Sequence, residues 1–128
     1  MAEMTIKKRP KNLDLTTIKL PLPGKVSILH RVSGAGLFLC LPVILWLFSA
    51  SVTSAETFAS FKAVFSSLPA KVILAGLIWA YVHHFCAGVR FLLLDLHVGI
   101  EKDAARKSAA VVLAVSIPLT LILWGVLL

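Results

Sequence analysis

The chain has 128 residues, 59% of them hydrophobic, and a formal net charge of +7. A soluble domain is nearer half apolar, so the composition excludes an ordinary soluble fold and leaves room for one small membrane domain. The basic balance does not point to nucleic acid, because the basic residues lack interleaved aromatics and gather at the ends of apolar stretches.

Residues 1–24 read as a polar, basic arm on the cytoplasmic surface. Pro21, Pro23 and Gly24 are expected to break any helix there, so the first span is placed from about residue 25. A spanning helix needs ~20 mostly apolar residues. Three stretches qualify: Val32–Ser54 and Ser108–Leu128 carry no formal charge, and Val72–Val89 carries only its two histidines. With their flanks they give spans at about 25–53, 68–95 and 107–128 of a single membrane domain, residues 1–128. The fold class is therefore all-α, with three transmembrane helices.

The first span opens with KVSILHRVSG. Ser27, His30, Arg31 and Gly34 stand at i, i+3, i+4 and i+7, on one helical face. One reading is a snorkelling arginine beside an interfacial histidine. The other is a set of donors able to stabilise a carbonyl that becomes negative on reduction. The small cluster Ser33–Gly36 would let another helix come close, and Pro42 would kink the helix mildly. In the following outer loop, Phe58, Phe61 and Phe65 recur at i, i+3 and i+7, the pattern of a short amphipathic turn on the membrane surface.

The second span contains YVHHFCAGVRFLLLD, residues 81–95. Ionisable groups inside a bilayer are costly and are usually kept for ligands, protons or partners. Gly76, Ala80, His84 and Gly88 lie four apart, so His84 stands in a stripe of small residues that admits a flat porphyrin or a neighbouring helix. His83 lines up instead with Arg90, around the side. From spacing alone, His84 has three readings: a hydrogen bond to another helix, a proton relay, or an axial haem ligand. A zinc site is disfavoured, since no second ligand stands at i+3 or i+4. His84 lies six residues before Arg90, about 9 Å deep by the helical rise. Arg90 and Asp95 are read as the cytoplasmic boundary.

Residues 96–107 read as a charged loop with Gly99 as breaker and a solvated His97. The third span holds Pro118 and no ionisable group, so it is read as packing. Cys40 and Cys86 sit in apolar segments and are read as small hydrophobes. Lys7, Lys8, Arg9, Lys11, Lys19, Lys25 and Arg31 precede the first span, and Arg90, Lys102, Arg106 and Lys107 precede the third. The first loop holds only Lys62 and Lys71. The excess of Lys and Arg puts the N-terminus in the cytoplasm and the C-terminus in the periplasm. The first apolar stretch does not suit a signal-peptide core, which favours a bacterial inner membrane.

Two motifs thus stand at matching depth: SILHRVSG opening the first span and H-x-x-x-G-x-R-x-x-x-x-D closing the second. With RPKNLDL at residues 9–15, they resemble the cytochrome b subunit of succinate dehydrogenase, the large membrane anchor of respiratory complex II. The resemblance covers nearly the whole chain. It implies a bundle formed with a second small anchor, docking of a flavoprotein and an iron–sulfur subunit, a shared b-type haem, and ubiquinone as substrate. By the resemblance, His84 is the axial ligand of the haem iron, Ser27 and Arg31 are quinone-site residues, and His30 and Arg31 lie near the haem propionates. Phe91 departs from the family pattern, which often has histidine directly after the arginine, so a propionate contact from that position is lost. No nucleophile–base pair or acid dyad is present, so the chain is not the dehydrogenase by itself. The alternatives are the anchor of a related fumarate reductase and a cofactor-free structural membrane subunit.

Overall fold

The computed structural model describes residues 17–127; the RPKNLDL motif and most of the basic arm lie outside them. The described chain is helical: α1 (Leu22–Thr53), α2 (Ala55–Phe65), α3 (Leu68–Asp95) and α4 (Lys102–Leu127). α1, α3 and α4 are each long and apolar enough to cross a membrane. In hydrocarbon every backbone N–H and C=O must be bonded within the protein, and an unbroken helix achieves this locally. Helix continues through Pro42 in α1 and Pro118 in α4.

The helix starts differ from the sequence reading at two places. α1 begins at Leu22, ahead of the expected start at residue 25, with Pro21 as its N-cap and Pro23 in its first turn. The N–H groups of a first turn have no helical partner anyway, so Pro23 sacrifices nothing there. The ladder then begins with the Lys25 N–H donating to the Pro21 carbonyl at 3.1 Å. α4 begins at Lys102 rather than near 107, so Lys102, Arg106 and Lys107 are helical. Asp103 in the first turn favours this start through the helix dipole.

Short connections enforce an antiparallel arrangement. Ser54 ends α1 and caps α2 in a reciprocal box with Thr57, each side chain bonded to the other's backbone N–H at 3.1 Å. On α2 the rings of Phe58, Phe61 and Phe65 form the expected row, with centroids 6.3 and 4.4 Å apart. α3 ends in a Schellman motif: the Val98 N–H donates to the Leu93 carbonyl and the His97 N–H to the Leu94 carbonyl, both at 2.9 Å. The position that turns the chain is His97, at φ 61°, where glycine is the usual residue. Gly99 (φ 74°) completes the reversal.

α3 packs against both α1 and α4. The buried cluster is Val26 of α1, Ala87 of α3, and Ala109 and Val112 of α4. It gathers at the end where α1 and α4 begin and α3 finishes. Toward the opposite end, the Trp124 indole N–H donates to the Lys71 carbonyl at 3.1 Å, tying α4 to the start of α3. Elsewhere the spans expose large apolar side chains such as Phe38, Trp46, Phe48, Phe85 and Ile122. Such surfaces suit lipid or further helices, and the chain is a multi-pass membrane protein.

Candidate functional site

The burial pattern of α3 separates its two histidines. His83, Ala87 and Arg90 are buried and recur at i, i+4 and i+7, forming one inward stripe. His84, Gly88 and Phe91 form the next stripe, which meets α1. The adjacent histidines therefore have different surroundings, as the helical phase requires.

His84 meets α1 through a small set of contacts. Its ring stacks on that of His30, with centroids 4.1 Å apart and planes 8° from parallel. It lies so close to the backbone of Gly34 that a Cβ there would come within 2.6 Å of its Cε1. Gly34 is thus required for close approach. His84 Nδ1 is 3.0 Å from the His30 carbonyl oxygen. A carbonyl only accepts, so Nδ1 carries the proton, and the lone pair of the neutral imidazole is on Nε2. Ser33 Oγ donates to the same carbonyl at 2.9 Å and stands 3.3 Å from Nδ1. No described residue hydrogen-bonds Nε2.

His30 is held from both sides. Phe91 tilts against it at 5.0 Å between centroids, and a Cβ on Gly88 would lie 3.6 Å from its Nε2. Phe91 thus fills space beside His30 with an apolar ring. Ser27 and Arg31 share the His30 face of α1; Ser27 is half-buried and Arg31 exposed. Neither side chain hydrogen-bonds a described residue.

The stripe of small residues is only partly filled by protein. Around Gly36 and Gly76 no atom lies within 4 Å of where a Cβ would be. One turn beyond His84 the helices diverge into a groove of 360 Å³, lined among others by Ser33, Gly36, Cys40, Gly76, Trp79 and Ala80. His84 does not itself line that groove; a free Nε2 lone pair and a ring fixed through Nδ1–H suit a histidine that would hold the iron of a flat macrocycle. Among the described residues, no three His, Cys, Asp or Glu side chains gather to hold a bare metal ion.

Two residues take places that the sequence did not give them. Arg90, read from the sequence as part of the cytoplasmic boundary, is 7% exposed and turns inward to α4. Its Nε donates to Ser108 Oγ at 2.9 Å and its Nη2 to the Ala105 carbonyl at 3.2 Å. The early start of α4 is what brings those acceptors to it. His83 is fully buried and stacks on Trp79 at 5.2 Å between centroids, with the Val26 backbone of α1 near enough to interact with its ring. The signal for Ser33 was its position three residues after His30, from which a serine hydroxyl reaches back to that carbonyl.

Comparisons with known proteins give one consistent answer. The model of the succinate dehydrogenase/fumarate reductase transmembrane subunit family matches residues 5–123. The succinate dehydrogenase cytochrome b556 subunit of Paracoccus denitrificans is 34% identical over 122 residues, covering 95% of this chain and 94% of the relative. Its counterpart in Coxiella burnetii is 36% identical over 120 residues, covering 93% and 95%. That of Rickettsia felis is 30% identical over 119 residues, covering 91% of each chain. Three long apolar helices, the two histidine-bearing motifs and these similarities over almost the full length lead to one assignment: the chain belongs to the succinate dehydrogenase/fumarate reductase transmembrane subunit family.

Proposed function

We propose that this chain is the cytochrome b membrane-anchor subunit of a bacterial succinate:ubiquinone oxidoreductase. In this reading it docks the flavoprotein and iron–sulfur subunits, shares a b-type haem with a second small anchor, and forms part of the site of ubiquinone reduction. The observation that carries it is the His84 Nδ1–H bond to the His30 carbonyl at 3.0 Å, which leaves Nε2 as the free lone pair. Histidines that ligate metals usually donate their other ring N–H to a carbonyl or carboxylate, which fixes both tautomer and orientation. The relatives' name, cytochrome b556, favours succinate dehydrogenase over the fumarate reductase alternative and supports a haem over a cofactor-free role.

The roles of the chain's residues follow from their chemistry. A b-type haem, when bound, supplies a one-electron carrier beside the quinone site. His84 would hold its iron from one side, and the second ligand would come from the partner anchor. His30 and Arg31 would neutralise the propionates, a task that falls to them the more because Phe91 cannot share it. Ser27 would donate a hydrogen bond to a quinone carbonyl, and the Arg31 guanidinium would stabilise the negative charge that develops there. The ends of α1, α3 and α4 that hold these residues also carry Lys25, Arg31, Lys102, Arg106 and Lys107, against Lys62 and Lys71 near the other end. That asymmetry supports a cytoplasmic N-terminus, a periplasmic C-terminus and proton delivery from cytoplasmic water.

The test uses the purified complex. His84→Ala should remove or shift the b-type band in the reduced-minus-oxidised spectrum; an unchanged spectrum would overturn the ligand assignment. Ser27→Ala and Arg31→Ala should each lower ubiquinone reduction at least tenfold while sparing succinate oxidation by an artificial acceptor, about the 1.4 kcal/mol of one charge-assisted hydrogen bond. Equal loss of both activities would mean failed assembly rather than a damaged quinone site.

A further inference from the structure

The function proposed for His84 uses its Nε2 and leaves open what governs how strongly that nitrogen donates to iron. Ser33 lies next to the atom that decides this. It is 7% exposed, and its hydroxyl is held three residues along the same helix from the carbonyl it bonds. Two donors converge on the His30 oxygen, the Ser33 hydroxyl at 2.9 Å and His84 Nδ1–H at 3.0 Å. Helical geometry aims the Gly34 N–H at the same oxygen.

We propose that Ser33 is a positioning residue that raises the reduction potential of the haem by competing with His84 for the His30 carbonyl. The inference rests on the reading of His84 as axial ligand. A carbonyl oxygen has two lone pairs, and one that already accepts other protons accepts the next less strongly. A weaker bond at Nδ1–H leaves the imidazole less anionic in character and Nε2 a poorer electron donor. Ferric iron needs that donation more than ferrous iron does, so the reduced state gains relative stability. The opposing effect, in which Ser33 Oγ accepts from Nδ1, is the minor one: 3.3 Å is long beside the two bonds that reach the carbonyl.

The experiment is a redox titration of the haem in the purified complex, alongside its optical spectrum and haem content. Ser33→Ala should keep the haem and shift its potential downward. Ser33→Thr keeps a hydroxyl at this position and should restore the original potential, and Ser33→Cys, with a weaker donor, should fall between. Gly125→Ala, on α4 and away from the groove but likewise with open space at its Cβ, should not move it. An unmoved or raised potential in Ser33→Ala, or no recovery with threonine, would refute the role of Ser33 alone, provided that His84→Ala removes the b-type band. A band that survives His84→Ala would remove the ligand assignment itself, and this inference with it.

Discussion

The most demanding prediction concerns Gly34. An alanine there would place Cβ 3.1 Å from His84 Nδ1 and 2.6 Å from its Cε1, the latter closer than real Cβ contacts allow. To reach an ordinary contact of 3.4 Å, the ring must retreat by about 0.8 Å, since carbon atoms repel steeply inside that distance. The stacked ring of His30 and the bond at Nδ1 limit where it can go. A retreat of that size along the bond would stretch 3.0 Å to about 3.8 Å, beyond hydrogen-bond range. Losing the bond that orients a metal-ligating histidine typically costs 10–100-fold in affinity. Gly34→Ala should therefore yield a complex with depleted or spectrally shifted b-type haem, read as haem per complex and as the reduced-minus-oxidised spectrum. Gly125→Ala, on α4, has open space at its Cβ and should be silent. Full haem content and an unshifted band in Gly34→Ala, or equal damage from both substitutions, would refute the close-approach argument.

Two further predictions address stability away from the site. His97→Gly should stabilise the protein by about 0.5–1 kcal/mol, because His97 sits at φ 61° where a side chain is strained, an advantage partly offset by glycine's extra freedom when unfolded. A raised midpoint of thermal unfolding is the expected reading, and no rise would count against it. Ser108→Ala removes the acceptor of Arg90 Nε and should destabilise the protein by about 1–2 kcal/mol. Its haem spectrum should stay unchanged, since Arg90 and His84 lie on different stripes of α3; a shifted spectrum would mean that the two stripes are coupled.

The division between what was legible in the residues and what was not follows the range of the forces. Three apolar stretches, each ~20 residues long, dictate three spanning helices because hydrocarbon leaves the backbone no other way to satisfy itself. Helical phase alone separates His83 from His84 and puts Ser27, His30, Arg31 and Gly34 on one face, since 3.6 residues per turn is a local property. Pro23 reads as a breaker in the sequence, yet α1 starts at Leu22, because a first turn has no bond for proline to break. Lys102, Arg106 and Lys107 read as loop charges in the sequence, yet lysine and arginine favour helix as well as most residues do, and α4 includes all three.

Contacts between helices were another matter. Nothing in the order of residues says that the His84 ring lies on Gly34, that its Nδ1–H finds the His30 carbonyl, or that Ser33 shares that oxygen. Nor does it say that Arg90 turns away from water to bind Ser108 and the Ala105 carbonyl. Each depends on the distance and rotation of one helix against another, set by side chains more than fifty residues apart for His84 and on a separate helix for Arg90. The stretch at 81–95 therefore carries the proposed haem ligand, and the first span supplies what fixes that ring: a glycine to approach, a carbonyl to hold it, and a serine sharing that carbonyl.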